Sequence, residues 1–157
     1  MKIKLLVLDI DGVLTDGKFT IDANKSESKA LNYRDLDSIN AFKGRGIQLA
    51  LLTGEDTSLV DVIAGRLGIA ILIKGAKDKC AGLTRLAERT GISLDYTCYI
   101  GDSDRDAEAL QLCKIGIVPK DATRKAKESA AVILNTNGGD GVVHEAFEYL
   151  MLNDYIQ

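Results

Sequence analysis

The chain is poor in the residues that mark specialised protein classes. Its 157 residues contain three cysteines, Cys80, Cys98 and Cys113, and one histidine, His144. An odd number of cysteines with no CxxC spacing fits neither a disulfide frame nor a zinc site. The three read as reduced thiols of a cytoplasmic protein. The single histidine lies far from them in sequence, which argues against a Cys–His nucleophile pair. No apolar run approaches the roughly 20 residues that span a bilayer, so no membrane partner is expected. The opening Met1-Lys2-Ile3-Lys4 runs directly into a strand pattern with no small-residue cleavage site, so no signal peptide is expected. The net charge is −3 with Lys and Arg scattered, which gives no nucleic-acid face. Repeats, low-complexity segments and linkers are also absent.

What is present fits one globular domain over residues 1–157. Hydrophobic residues make up 46% and charged residues 27% of the chain. A domain of this size buries close to 70% of its unfolded surface. Apolar runs of strand length recur at residues 3–8, 47–52, 69–73, 96–100, 115–118 and 132–134. Between them, Leu59, Val62, Ile63 and Leu67 share a helical face that stops at Gly68. Leu83, Leu86 and Ala87 do the same and stop at Gly91. Val143, Phe147, Leu150 and Met151 mark a final amphipathic helix within a C-terminal segment 140–157. Strand alternating with helix predicts an α/β fold with a parallel sheet covered on both faces. The exception is residues 18–34, "KFTIDANKSESKALNYR", where alternation around Phe19 and Ile21, a turn at Asp22 to Asn24, and Ala30-Leu31 predict a β-hairpin.

The stretch "KLLVLDIDGVLTDG" carries an apolar strand straight into Asp9 and Asp11. Burying a carboxylate costs several kcal/mol unless a hydrogen bond, a partner charge or a metal offsets it. In open parallel sheets, ligands bind beyond the carboxyl ends of the strands. Thr53-Gly54 follows the strand "IQLALL", and "GDSDRD" follows "YTCYI", so Asp9, Asp11, Thr53, Gly54 and Asp102 reach one rim. Lys79 begins the helix after "IAILIKG" and leans over the same edge. Each has a plain alternative: a turn at Asp11-Gly12, a helix cap at Thr53 or Asp102, a solvated charge at Lys79. Together they suit phosphoryl transfer through an enzyme carboxylate. A hard cation such as Mg²⁺ takes carboxylate and phosphate oxygens. One carboxylate can attack phosphorus, a second can move a proton, and a lysine with N–H donors can neutralise the dianion.

At this point a resemblance is specific. "LDIDGVLTDG", "LLTGE", "GAKDK" and "YIGDSDRDAEAL" resemble, in order, the four motifs of the haloacid dehalogenase superfamily of phosphohydrolases. The DxDGxLTDG form, the hairpin and "NTNGGDGVVHEAFEYL" resemble the branch of 3-deoxy-D-manno-octulosonate 8-phosphate phosphatases, which includes phosphatases of nine-carbon sialic-acid-type 9-phosphates. The resemblance implies that Asp9 is the nucleophile and a Mg²⁺ ligand. It implies that Asp11 is the general acid/base and binds the metal through its carbonyl. Thr53, Gly54 and Lys79 would hold the phosphoryl group, Asp102 would complete the protein ligands, and Asp106 would position the site from behind. The branch often has Asp-Asp after the last motif's glycine; here the second is Ser103.

Spacing adds that no cap domain fits. Asp11 and Thr53 are 42 positions apart, a gap already used by a hairpin and a helix, and Thr53 and Lys79 are 26 apart. Neither gap holds a domain of even about 50 residues. The fold is therefore expected to be a capless Rossmann-like sandwich, and the resemblance implies a homotetramer whose neighbours cover the site. The substrate expected is a phosphorylated sugar acid, most simply the eight-carbon acid. Glu55, where octulosonate phosphatases tend to carry arginine, resembles the nine-carbon enzymes, whereas "NYRDLDSI" resembles the eight-carbon ones. Arg34 reads equally as a contact for a sugar carboxylate or as a surface charge, and Arg66 as a solvated face. Two other classes stand beside the phosphatase. A two-component receiver would need an adjacent acid pair and its phosphorylated Asp after the third strand, which "DID" does not supply. A silent assembly domain is opposed by the intact Asp9, Asp11, Lys79 and Asp102.

Overall fold

Leu5–Leu8 forms β1, and all four side chains are buried. Period-two geometry sends Leu5 and Val7 to one face of the sheet and Leu6 and Leu8 to the other. An all-apolar run of this kind is stable only in a sheet covered on both sides. The computed structural model describes residues 1–157 and places β1 centrally in a six-stranded sheet. The other strands are β4 (Gln48–Leu52), β5 (Ile71–Ile73), β6 (Thr97–Ile100), β7 (Ile115–Val118) and β8 (Val132–Ile133). Their order is β5-β4-β1-β6-β7-β8, and every pairing is parallel. Each strand-length run of the sequence thus has its strand.

Helices α1 (Tyr33–Gly44), α2 (Ser58–Leu67) and α6 (Val142–Leu152) cover the Leu6/Leu8 face. Helices α3 (Lys79–Thr90), α4 (Ala107–Leu112) and α5 (Arg124–Ser129) cover the Leu5/Val7 face. Phe42 of α1 meets Phe147 of α6 edge to face with ring centroids 5.0 Å apart. Asp35 of α1 accepts from the amides of Val143 (2.9 Å) and His144 (3.2 Å), a carboxylate at the amino end of α6 where the helix dipole favours it. Helices α2 and α3 end at Gly68 and Gly91 as expected. The apolar face of α2 is corrected: Val60, Ile63, Ala64 and Leu67 are its buried residues, and Val62 points to solvent. Val62 lies one position off the inward stripe, so its hydrophobicity misleads.

Residues 18–34 also need correction at one end. β2 (Thr20–Ile21) and β3 (Glu27–Ser28) do pair antiparallel, and Asp22 Oδ1 accepts from the amides of Asn24 (2.9 Å) and Ser26 (3.0 Å) to close the turn. Ala30 and Leu31 lie beyond the hairpin, and Tyr33 and Arg34 belong to α1. Asn32 caps that helix by accepting from the Arg34 amide at 2.8 Å, a turn-forming side chain that starts the helix early. The hairpin stands apart from the main sheet, with Phe19 and Ile21 more than half exposed. No helix is long and apolar enough to cross a membrane.

Candidate active site

The carboxyl ends of β1, β4 and β6 deliver Asp9, Thr53 and Asp102 to one rim, because these strands are adjacent and in parallel register. A cleft of about 270 Å³ opens there, lined wholly by polar residues and glycine. Asp9, Asp11, Thr53, Gly54, Glu55, Lys79 and Asp102 all line it. Arg34 does not: it is exposed on α1, away from the cleft. Asp106 sits just behind, fully buried. A second groove, lined by Leu31, Tyr33, Leu36, Arg66 and Leu67, contains no acid and offers no chemistry of this kind.

After β1 the chain turns sharply. Asp9 caps this turn by accepting from the Ile10 amide at 2.8 Å. Gly12 follows at φ +81°, and a Cβ there would collide with the Asp102 carboxylate. The glycine is thus required twice, for its backbone and for the closeness of Asp102. Thr15 is buried and donates to Asp11 Oδ1 at 3.2 Å, fixing the second acid against the turn. The "NTNGGDG" loop locks the turn from outside: Gly139 N–H donates to the Val13 carbonyl at 3.0 Å, and Gly138 packs against the Gly12 carbonyl too closely for any side chain.

Lys79 is the electrostatic hub. Its ammonium lies 3.0 Å from Asp106 Oδ1 and 3.2 Å from Asp9 Oδ2. Burial works against its charge, but the two carboxylates outweigh burial and raise its pKa. Asp106 is saturated: Oδ1 also accepts from Tyr99, and Oδ2 accepts from the amides of Asp102 and Ser103, each at 3.0 Å. Burial opposes its ionisation too, yet Lys79 and these donors hold the carboxyl below the usual range. Asp9 lacks such support. Burial pushes it up to about 8, opposed by Lys79 and reinforced by Asp106 and Asp102. Burial raises Asp102 to about 7, with Asp106 adding to the rise.

Two carboxyls pushed this high form a site that a cation would relieve. Oxygens of Asp9, Asp102 and Asp106 lie within 4.8 Å of one another. Those of Asp106 are already occupied, which leaves Asp9 and Asp102 as the available side chains. An all-oxygen donor set fits a hard divalent ion. Across the cleft, the Thr53 hydroxyl accepts from the Glu55 amide at 3.2 Å, while its own proton and the Gly54 N–H have no acceptor within the chain. These are the donors that an anionic oxygen would use.

Three participants were not assigned from sequence: Thr15, Tyr99 and Lys29. Tyr99 lies in "YTCYI" and reads as core, its hydroxyl visible only as a buried polar group that needs a partner. Lys29 follows β3 and places its ammonium 2.9 Å from Asp11 Oδ1 and 2.8 Å from Glu55 Oε2. No local signal reveals it, because the contacts depend on how the hairpin folds back.

A family profile described as haloacid dehalogenase-like hydrolase matches residues 65–145. The chain is 32% identical over 149 residues to 3-deoxy-D-manno-octulosonate 8-phosphate phosphatase KdsC of Haemophilus influenzae, covering 95% of this chain and 83% of that protein. It is also 32% identical to the KdsC of Escherichia coli K12 over 150 residues, covering 96% and 80%. Among solved structures, it is similar to the 3-deoxy-D-manno-octulosonate 8-phosphate phosphatase from Moraxella catarrhalis in complex with magnesium ion, phosphate ion and KDO. That match has a TM-score of 0.92 at 34% identity and covers 98% of this chain and 89% of the other. The cobalt-bound Haemophilus influenzae deoxy-D-mannose-octulosonate 8-phosphate phosphatase superposes with a TM-score of 0.91 at 31% identity, covering 96% and 88%. The fold, the acid-lined rim and these similarities together make the chain a member of the haloacid dehalogenase-like hydrolases, within the group of KdsC-type phosphatases.

Proposed function

We propose that this chain is a Mg²⁺-dependent phosphatase that removes the phosphate of 3-deoxy-D-manno-octulosonate 8-phosphate through an aspartyl phosphate. The observation that carries the reading is Asp9, a buried carboxylate at the strand end, facing the cleft with Lys79 at 3.2 Å. In the first step Asp9 forms a bond to phosphorus as the bond to the sugar oxygen breaks, and Asp11 gives that oxygen a proton. In the second, Asp11 takes a proton from water, the water oxygen bonds to phosphorus, and the Asp9 carboxylate is released with inorganic phosphate. Thr53, Gly54 and Lys79 hold the phosphoryl oxygens throughout, and Asp106 keeps Lys79 aimed. Mg²⁺, held by Asp9, Asp102 and the Asp11 carbonyl, supplies positive charge against the phosphoryl dianion and the clustered acids.

Residues 1–157 act as one domain, and the assembly is a homotetramer. The support is a hairpin that the main sheet does not need, carrying Phe19 at 57% and Ile21 at 56% exposure. Arg34 is assigned to the sugar carboxylate at a site completed by a neighbouring subunit, since it lies outside its own chain's cleft. The free thiols Cys80, Cys98 and Cys113 suit the reducing cytoplasm. One observation favours a second substrate, a nine-carbon sugar-acid 9-phosphate: Glu55 stands at the cleft where the eight-carbon enzymes tend to carry arginine. A turnover screen with eight- and nine-carbon sugar-acid phosphates and Mg²⁺ tests the reading. The eight-carbon acid should give the highest kcat/KM, and no turnover of any sugar-acid phosphate would overturn it.

A further inference from the structure

Lys29 is a buried cation beside the site whose role the phosphatase reading leaves open, unlike the exposed Lys77 and Arg105 that line the cleft. Its side chain is only 3% exposed, although it leaves a two-stranded hairpin that is otherwise open to solvent. The ammonium contacts both oxygens of Asp11, Oδ1 at 2.9 Å and Oδ2 at 3.0 Å, and Glu55 Oε2 at 2.8 Å. Lys29 does not itself line the cleft, whereas Asp11 and Glu55 both do. It therefore meets a substrate only through those two carboxylates. Burying a lysine this deeply is costly unless its charge is matched, and two carboxylates match it. The structural cost is spent on one geometry, a clamp from Glu55 to Asp11. Thr15 completes it by donating to Asp11 Oδ1 at 3.2 Å.

From this we infer that Lys29 is a positioning residue for the reaction: clamped by Glu55, it holds the Asp11 carboxyl in the orientation that delivers a proton to the departing sugar oxygen. The inference rests on the acid/base role given to Asp11. It also gives Glu55 a task that does not depend on touching substrate, as the second anchor of the clamp. Lys29 comes one residue after β3, so the same clamp ties the order of the hairpin to the proton donor.

A proton donor matters most when the leaving group is a poor one. A sugar alkoxide needs the proton as the P–O bond breaks, whereas 4-nitrophenolate departs as an anion. The experiment compares wild type, Lys29→Met, Lys29→Arg and Glu55→Gln on 3-deoxy-D-manno-octulosonate 8-phosphate and on 4-nitrophenyl phosphate, with Mg²⁺ saturating. Lys29→Met should lower kcat on the sugar phosphate by about 10²-fold, the usual scale of general acid catalysis, with KM nearly unchanged. Its kcat on 4-nitrophenyl phosphate should fall by no more than about threefold, because proton transfer adds little there. Lys29→Arg should recover part of the sugar-phosphate rate. Glu55→Gln should show the same split at smaller size, and decides the matter if Lys29→Met does not fold. Equal losses on both substrates, or a change confined to KM, overturns the positioning role. A wild type that hydrolyses 4-nitrophenyl phosphate but no sugar-acid phosphate overturns the proposed function instead.

Discussion

Lys79 stands between Asp106 and Asp9, 3.0 Å from one carboxylate and 3.2 Å from the other. The two acids differ in what else supports them. Asp106 has Tyr99 and two backbone amides, while Asp9 has only the Ile10 amide. The lysine is therefore anchored on Asp106 and presents its remaining charge at Asp9. This arrangement places a fixed cation beside the proposed nucleophile, in contact with Oδ2 of Asp9, while Oδ1 accepts from the Ile10 amide.

Asp106→Asn should destabilise the fold by about 3–5 kcal/mol, because it leaves the buried Lys79 without its main anchor. Urea denaturation at constant m-value measures this. A loss below about 1 kcal/mol, the scale of a surface pair, would mean that the network is solvated and the hub argument wrong.

Mg²⁺ should stabilise the protein in a pH-dependent way. Asp9 and Asp102 are raised from 3.8 to about 8 and about 7, so without metal the folded chain keeps protons that the unfolded chain has released. The sign follows: these two groups cost stability progressively as pH rises above 3.8, and the cost is complete above about 7 for Asp102 and about 8 for Asp9. Metal binds the ionised forms and removes that cost. The rise in Tm on adding Mg²⁺ should be small below about pH 6 and large above about pH 8. A shift that is constant across this range, or larger in acid, would contradict the assignment of Asp9 and Asp102 as ligands.

Gly12→Ala should abolish activity. It forces a non-glycine residue to φ +81° and drives its Cβ into the Asp102 carboxylate. The backbone strain costs about 1–3 kcal/mol, and displacement of Asp102 adds loss of metal affinity. Calorimetric titration with Mg²⁺ alone should show the weakened binding independently of turnover. Wild-type affinity in this variant would show that Asp102 is not held as described.

Much of this was legible in the sequence, for physical reasons. Asp9, Thr53 and Asp102 each follow an apolar run, and a parallel sheet brings successive strand ends to one rim. Asn32 before Tyr33 signalled the start of α1, and the hairpin reading overran it. Val62 misled because one apolar residue outside the stripe looks like part of it. Lys29 and Tyr99 were not legible. One meets Asp11, 18 positions earlier in the chain, only after the hairpin has folded back, and the other looks like any buried aromatic residue.

Replacing Phe19 and Ile21 with charged residues should lower the mass in solution and the activity on the sugar phosphate, while turnover of 4-nitrophenyl phosphate falls less. Phe19 and Ile21 lie outside the cleft, so in the proposed tetramer their replacement removes the neighbour's contribution and leaves the strands' own chemistry. Light scattering coupled to size exclusion reads the mass. A wild-type monomer with full sugar-phosphatase activity would contradict the tetramer.

The central claim is that Asp9 carries the phosphoryl group. Rapid acid quench of the Mg²⁺-loaded enzyme during turnover, followed by peptide mapping, tests it most directly. The account predicts phosphate on the peptide containing Asp9, discharged on further incubation, and neither label nor turnover in Asp9→Asn of unchanged fold. Phosphate on another residue, or an Asp9→Asn enzyme that still turns over, would contradict it.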